Sequence, residues 1–260
     1  MYALNSDKIN NLTTFSHSKL LYKLAFLGIP KNIISLIQNY LSDRTSNVKI
    51  GDTLSKLMSI SSGVPQGGVL SPLLFNLYVS DIPHALQHLK NVRIAMFADD
   101  IKIYAKSSCS SELQSALDIV HRWSIDWELP LSATKTKILF IGPQNPKTPY
   151  TILGTTLQVE SLKIRDLGFH ITPNLKFDKH CKIVARSAKH RTYNLFKSLS
   201  TRNPEILLKA YKSYVRSIIE YGSRVLILDK KCSKMLESVQ NDFTRKLWTR
   251  VGRCRTTVMP

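Results

Sequence analysis

Residues 92–105, VRIAMFADDIKIYA, contain two short arms of alternating apolar residues on either side of an Asp-Asp pair. Side chains on a strand point to opposite faces in turn, so this alternation predicts two strands. Asp99 and Asp100 then stand at the bend of an antiparallel pair, and Phe97 and Ala98 beside them are expected to be buried. A chain with this segment is committed to a hairpin that carries two adjacent carboxylates.

Two carboxylates at a tight bend suit a hard divalent cation. Mg²⁺ binds one or two protein carboxylates together with waters and phosphate oxygens. A pair of such ions can hold both the attacking and the leaving oxygen of a phosphoryl transfer. An Asp-Asp pair by itself is more often a solvated turn, so the neighbouring sequence decides between the two interpretations.

The neighbouring sequence is a glycine-rich turn that runs into a helix. Ser71 is predicted as the N-cap of this helix and Pro72 as its first residue. Residues 63–83, GVPQGGVLSPLLFNLYVSDIP, followed by FADD, resemble the palm of reverse transcriptases, and most closely the jockey-type non-LTR (LINE-like) retrotransposon family. That family usually has Ser where this chain has Gly68.

The resemblance implies an α+β fold, in which a polymerase palm of antiparallel sheet and packed helices is followed by a helical thumb. Residues 1–175 would be the palm and residues 176–260 the thumb and the segment after it. Helical spacing predicts helices over residues 18–27, 30–41, 111–127 and 180–199, with a further helix capped by Asn203. A hairpin is predicted around Gly51. In that further helix Leu207, Tyr211, Tyr214 and Ile218 are expected to share one face.

The resemblance also implies a catalytic site for which two Mg²⁺ ions, or Mn²⁺, are the cofactors. Asp7, Asp99 and Asp100 would be the catalytic and metal-binding residues. The first of these comes from the register of the family's opening motif, although NSDKINNLTT is a poor match to a central strand, and Asp7 as an N-terminal turn residue stays open. Contacts with template and nucleotide would come from Gln66, Gly67, Gly68, Leu12 and Lys135.

For Gln66 a plain turn residue, and for Lys135 a solvated lysine, remain alternatives. Leu12 stands where the family usually has the aromatic residue that blocks the ribose 2′ position, so weak discrimination between ribo- and deoxyribonucleotides is expected.

The charge of the chain is concentrated in its second half. The net charge is +19, and residues 131–260 carry 25 Lys and Arg against 8 Asp and Glu. Such a basic block next to an acidic site is typical of proteins that bind a polyanion. The residues expected to contact a nucleic-acid backbone are Lys182, Arg186, Lys189, Lys197, Lys209, Lys212 and Arg216.

Other features limit where the protein acts. No apolar run is long enough to span a membrane, and the N-terminus lacks the pattern of a signal peptide. The predicted location is intracellular, in the nucleus or cytoplasm, and not secreted. Cys109, Cys181, Cys232 and Cys254 are far apart in sequence, which predicts reduced thiols and neither disulfides nor zinc.

The leading hypothesis is an RNA-directed DNA polymerase domain of a retrotransposon, with RNA template, DNA primer and deoxynucleoside triphosphates as partners and no obligate oligomer indicated. The alternative is an inactive retroelement remnant that binds nucleic acid through its basic thumb. A two-metal nuclease is a third interpretation, for which the glycine loop has no role. Only six residues precede Asp7, so we expect an incomplete copy without fingers that extends primers poorly.

Overall fold

The structure is a computed structural model that describes the backbone of residues 2–6 and all of residues 15–252. Asp7, Leu12 and Cys254 lie outside the described residues. The chain divides into two compact units, residues 1–162 and residues 163–260. We call them the N-terminal and the C-terminal unit. Helices and small sheets occur in both, which confirms the α+β class.

The helices follow the spacing of apolar residues in the sequence. They are α1 (His17–Phe26), α2 (Lys31–Leu41), α3 (Ser71–Val79), α4 (Ile82–Ala85), α5 (Ser110–Asp126), α6 (Asp178–Ser198), α7 (Pro204–Tyr211), α8 (Ser217–Glu220) and α9 (Lys230–Val251). No helix in the described part of the chain is long and apolar enough to cross a membrane.

The strands are short outside one central sheet. They are β1 (Tyr2–Ser6), β2 (Thr45–Ser46), β3 (Lys49–Ile50), β4 (Thr53–Leu54), β5 (Met58–Ser59), β6 (Val92–Phe97), β7 (Asp100–Ala105), β8 (Thr136–Phe140), β9 (Thr151–Ile152), β10 (Thr155–Thr156), β11 (Gln158–Val159), β12 (Ile164–Asp166) and β13 (Phe169–Ile171). As predicted, β3 and β4 form a hairpin around Gly51.

The central sheet has five strands in the order β11-β8-β1-β7-β6. Strand β1 lies in the middle and pairs antiparallel with both β7 and β8. From the sequence alone, residues 5–14 are a poor match to a central strand. The strand lies mostly ahead of that segment, at Tyr2–Ser6, and is defined by hydrogen bonds to a strand on each side.

The core of the N-terminal unit forms between this sheet and the helices. Ile101, Ile103 and Ile138 of the sheet are buried with apolar residues of α1, α3 and α5. Trp123 is buried and Trp127 packs against the same core, as the helical spacing of α5 predicts.

A buried lysine holds three helical segments of this core together. Lys23 of α1 is 3% exposed, donates to Asp81 Oδ1 at 2.7 Å, and lies 3.6 Å from the ring centroid of Trp127. Trp123 Nε1 donates to the same carboxylate oxygen at 3.0 Å. Burial lowers the pKa of Lys23, and the hydrogen bond and charge of Asp81 oppose that effect. A buried cation of this kind depends on its partner, because an unpaired charge is costly in a protein interior.

The C-terminal unit consists of the hairpin β12–β13 and a helical cluster of α6, α7, α8 and α9. Its division from the N-terminal unit precedes the predicted boundary at residues 175–176, because β13 packs against α6. Asn203 caps α7 as predicted, with Oδ1 accepting from Glu205 N at 2.8 Å.

The prediction that Tyr214 continues the apolar face of Leu207 and Tyr211 is wrong. A π-helical turn over Lys212–Arg216 inserts between α7 and α8, which rotates the residues that follow. Val215 is therefore buried in the place expected for Tyr214, and Tyr214 is 49% exposed.

Candidate active site

Strands β6 and β7 form the predicted hairpin, with the two aspartates at its bend. Phe97 pairs with Asp100, which leaves Ala98 and Asp99 as a two-residue turn. Ala98 has a φ of 51°, in the left-handed region that costs a non-glycine residue about 1–2 kcal/mol. Both carboxylate side chains are half-buried. The strained two-residue turn therefore fixes the backbone positions of Asp99 and Asp100.

The expected burial of Phe97 and Ala98 is wrong. Phe97 is 63% exposed, and Ala98 is also exposed. Both residues instead line an open cleft of about 580 Å³, together with Met96 of β6. The other wall of this cleft is formed by α3 and the residues after it, with Pro72, Phe75, Asn76, Val79, Ser80 and Pro83.

Three strand ends meet at the sheet edge that carries the bend. Ser6, the last residue of β1, pairs with Ile101 of β7 and with Thr136 of β8. Asp100 begins β7 and Lys135 directly precedes β8, so both lie at the edge where β1 ends. Lys135 is exposed there. Asp7 follows Ser6 in sequence but lies outside the described residues.

Hydrogen bonds hold the base of the glycine-rich loop, and the tip of the loop is exposed to solvent. Gln66 and Gly67 are exposed, and Gly67 has a φ of 80°. The expected N-cap role of Ser71 is wrong, because Leu70 occupies that position. Ser71 is the first residue of α3, and its Oγ donates to the Pro65 carbonyl at 2.6 Å. This bond ties the helix start to the loop that precedes it.

Because Gly68 has no side chain, three neighbouring oxygen atoms can lie close to its backbone. A Cβ placed on Gly68 would overlap the Tyr40 hydroxyl and lie 2.7 Å from Ser71 Oγ and 3.1 Å from the Pro65 carbonyl oxygen. Two of these contacts involve side chains of α2 and α3. Jockey-type sequences usually have serine at this position. The close packing around Gly68 explains why this chain has glycine there.

His17 also contacts the glycine-rich loop, although the sequence did not predict a role for it there. Its Nε2 donates to the carbonyl of Gly63 at 2.6 Å, and Gly63 N donates to the Phe15 carbonyl at 2.7 Å. An isolated antiparallel β-bridge also pairs Ser16 with Ser62, next to these two hydrogen bonds. The glycine loop is thus fastened to the start of α1. The available signal was that His17 ends the family's opening motif, whose register places Asp7, but the partner of His17 is distant in sequence.

The basic residues predicted to bind nucleic acid are exposed on the C-terminal unit. Lys182, Arg186, Lys189 and Lys197 are exposed along one side of α6, and Lys209 and Lys212 are exposed on α7 and the turn after it. Arg216 is exposed but paired with Glu220 at 2.6 Å. Tyr193, 56% exposed, continues the same stripe of α6 and was not predicted.

Comparison with known proteins identifies the class to which this fold and site belong. The family model for reverse transcriptase (RNA-dependent DNA polymerase) matches residues 13–171. The chain therefore belongs to the reverse transcriptase family, and its relatives include RNA-directed DNA polymerases of jockey and other non-LTR retrotransposons, as the resemblance predicts.

Among these relatives is the RNA-directed DNA polymerase from mobile element jockey of Drosophila funebris, 30% identical over 221 residues. The jockey polymerase of Drosophila melanogaster is 27% identical over 220 residues, and a probable RNA-directed DNA polymerase from transposon X-element of that species is 26% identical over 229 residues. These matches cover 80% of this chain for both jockey polymerases and 84% for X-element. The chain spans about a quarter of the length of these relatives.

Proposed function

We propose that the chain carries out RNA-directed DNA synthesis, with residues 1–175 as the polymerase palm and residues 176–260 as the thumb and the segment after it. The observation that carries the proposal is the Asp99–Asp100 pair on a strained hairpin bend, at the sheet edge where β1 ends and β8 begins. The glycine loop and α3 precede this bend in the order that the family shares. Activity, substrates and partners are proposed on this basis.

The donor set at the bend fits divalent cations, which reverse transcriptases generally use. Carboxylate oxygens are the ligands that Mg²⁺ prefers, and Mn²⁺ accepts the same ligands. We assign Asp99, Asp100 and Asp7 to hold two such ions. The bound ions would supply charge stabilisation for a primer 3′-hydroxyl and for the leaving pyrophosphate.

The protein's own part in the reaction is positioning. The Ala98 turn fixes Asp99, and the pairing of Asp100 with Phe97 fixes the start of β7. Gln66, Gly67 and Gly68 would contact the templating base pair, and the missing side chains of the glycines permit a close approach. Lys135 would act near the pyrophosphate, and Leu12 near the ribose. Positioning of this kind can account for about 7–11 kcal/mol of a reaction barrier.

Primer and template would be held mainly through phosphates. The exposed stripe of α6, with Lys182, Arg186, Lys189 and Lys197, presents four positive charges along one side of a helix. Lys209, Lys212 and Arg216 would extend this surface. Such contacts bind nucleic acid without reading its sequence. Tyr193 adds an aromatic ring to the stripe, which can pack against a sugar or a base.

The test is primer extension by the 260-residue chain on RNA templates that differ in one base. A labelled DNA primer is annealed to each template, and the four deoxynucleotides are supplied singly with Mg²⁺. The proposal predicts incorporation of the nucleotide complementary to the varied base. Incorporation that ignores the template would contradict it. Tight duplex binding with no incorporation would favour the second candidate, an inactive nucleic-acid-binding protein, which the basic stripe supports.

A further inference from the structure

The turn of the hairpin β12–β13 is held by a tyrosine from the other end of the C-terminal unit. Tyr221 directly follows α8, and its hydroxyl donates to the Leu167 carbonyl at 2.9 Å. The Tyr221 ring stacks on that of Phe169, with ring centroids 5.5 Å apart and 28° between the planes. Leu167 and Phe169 stand on either side of Gly168, so one tyrosine contacts both sides of the turn. We call these two contacts the Tyr221 clamp.

Two glycines make the close packing of the Tyr221 clamp possible. A Cβ on Gly168 would lie 3.0 Å from Tyr221 Cε1, and a Cβ on Gly222 would overlap the ring of Phe169. Both glycines also have a positive φ, which a residue without a side chain adopts readily. The dipeptides 168–169 and 221–222 therefore fit each other, because each supplies one aromatic ring and the space for the ring of the other.

The Tyr221 clamp lies outside the apolar core of its unit. As far as the structure describes that core, it joins α6, α7 and α9 and includes neither Tyr221 nor Phe169. Tyr221 is 55% exposed, and Gly168 is exposed as well. Burial of apolar surface therefore does not account for this arrangement. What the clamp does is fix the position of an exposed hairpin turn.

The hairpin presents basic side chains on the face that the clamp does not use. Arg165 pairs with His170 across the hairpin, whereas Phe169 belongs to the next pair and points to the other face. Lys163 stands two residues before Arg165 and so shares its side of the chain. Lys163 and Arg165 are both exposed, and the sequence analysis assigned neither to nucleic acid. Exposed cations on a basic unit are suited to phosphate contacts.

We propose that Tyr221 is a positioning residue for nucleic-acid binding, which holds the hairpin so that Lys163 and Arg165 reach phosphates of a bound RNA–DNA duplex. The choice of duplex rests on the proposed function, but the clamp itself requires no catalysis. Tyr221 acts through the hairpin and need not touch the nucleic acid. Removing its hydroxyl takes away one of the two contacts of the clamp, and removing its ring takes away both.

The experiment measures the affinity of the 260-residue chain for an RNA–DNA duplex at several salt concentrations. Lys163→Gln/Arg165→Gln should flatten the slope of log K against log salt by about two contacts, at about 0.7–0.9 per contact. In a Tyr221→Ala background the same pair of substitutions should flatten the slope by less than one contact, because both cations are already displaced. Tyr221→Phe keeps the stacked ring and should restore most of the two-contact effect. Gly222→Ala displaces Phe169 from the other side of the clamp and should act as Tyr221→Ala does.

The matched control background is Tyr22→Ala, an exposed tyrosine of the N-terminal unit, in which the full two-contact effect should remain. A two-contact effect in Tyr221→Ala as well would overturn the proposal, and so would an unchanged slope in Lys163→Gln/Arg165→Gln. Template-directed extension together with either result would leave the polymerase standing and the clamp refuted. The expected slopes without any extension would do the reverse. Absence of duplex binding by the wild type would contradict both proposals.

Discussion

The packing around Gly68 sets which residue the glycine-rich loop accepts there. We predict that Gly68→Ser lowers the free energy of unfolding by about 1–2 kcal/mol, because the new Cβ would overlap the Tyr40 hydroxyl. The double variant Gly68→Ser/Tyr40→Phe lacks this hydroxyl and should regain part of the loss. Thermal melting of the two variants and of Tyr40→Phe alone measures the effect. If Gly68→Ser melts at the wild-type temperature, the loop accommodates the serine side chain without overlap, and the prediction is wrong.

His17 is expected to position the loop and not to take part in chemistry. Loss of its hydrogen bond to Gly63 in His17→Ala should cost about 1 kcal/mol of stability. We also predict that the KM for the incoming nucleotide rises about five- to tenfold, because the loop would lose its fixed base. His17→Gln, which keeps a donor, should restore part of the nucleotide affinity.

The matched control for His17 is His84→Ala, because His84 is exposed and its ring is hydrogen-bonded, among the described residues, only to the side chain of Gln87. A KM in His17→Ala equal to that of this control would assign His17 a purely structural role.

At the scale of elements, the basic stripe of α6 makes a prediction about salt. If Lys182, Arg186 and Lys189 each contact a phosphate, log K for an RNA–DNA duplex falls with log salt by about 0.7–0.9 per contact. Replacing all three with Glu should flatten that slope by about three contacts. The control is the triple variant Lys31→Glu/Lys90→Glu/Arg93→Glu, which makes the same change in net charge on the N-terminal unit. Equal slopes in the two triple variants would place the binding surface elsewhere.

The hairpin β12–β13 packs against α6 through a buried histidine, which makes stability depend on pH. His180 is 2% exposed, and its Nδ1 accepts from His170 N at 3.3 Å. Burial and the nearby His170 lower the pKa of His180 below its ordinary value of about 6.5. The unfolded chain then binds a proton that the folded chain rejects, so stability falls as pH drops below about 6.5.

We predict that the denaturation midpoint of the wild type falls more steeply between pH 7.5 and pH 5.5 than that of His180→Asn. His170 also has a lowered pKa, from burial and from the charges of Lys163 and Arg165, so part of the slope should remain in the variant. His190→Asn is the matched control, because His190 is exposed on the same helix. A slope in His180→Asn identical to the wild type would show that His180 protonates freely in the folded protein.

At the scale of the whole molecule, the sequence predicted what is local and missed what depends on distant partners. The hairpin at Asp99, the Asn203 cap and six helices (α1, α2, α3, α5, α6 and α7) follow from spacing and capping within a few residues. Strand β1 was missed because its neighbours on both sides define it. The π-helical turn after Tyr211 shifts a face that a regular period cannot anticipate.

The same limit applies to the sites. Asp99, Asp100 and Lys135 lie at one sheet edge, and their roles in catalysis stay a prediction. The hydrogen bond of His17 to Gly63 and that of Cys232 to Asp178 were not predicted, because each joins residues far apart in sequence through packing of different elements. The exposure of Phe97 was missed because alternation describes two faces of a strand but not whether a helix covers both.

The most direct test of the account is primer extension by Asp99→Asn and Asp100→Asn on an RNA template with Mg²⁺. Asp52→Asn is the matched control, since Asp52 is an exposed aspartate in the turn between β3 and β4. Each substitution at the bend removes one carboxylate charge from the proposed metal site, so we predict a loss of extension of about a hundredfold or more, with Asp52→Asn unchanged. Extension by both bend variants within about threefold of the control would contradict the account.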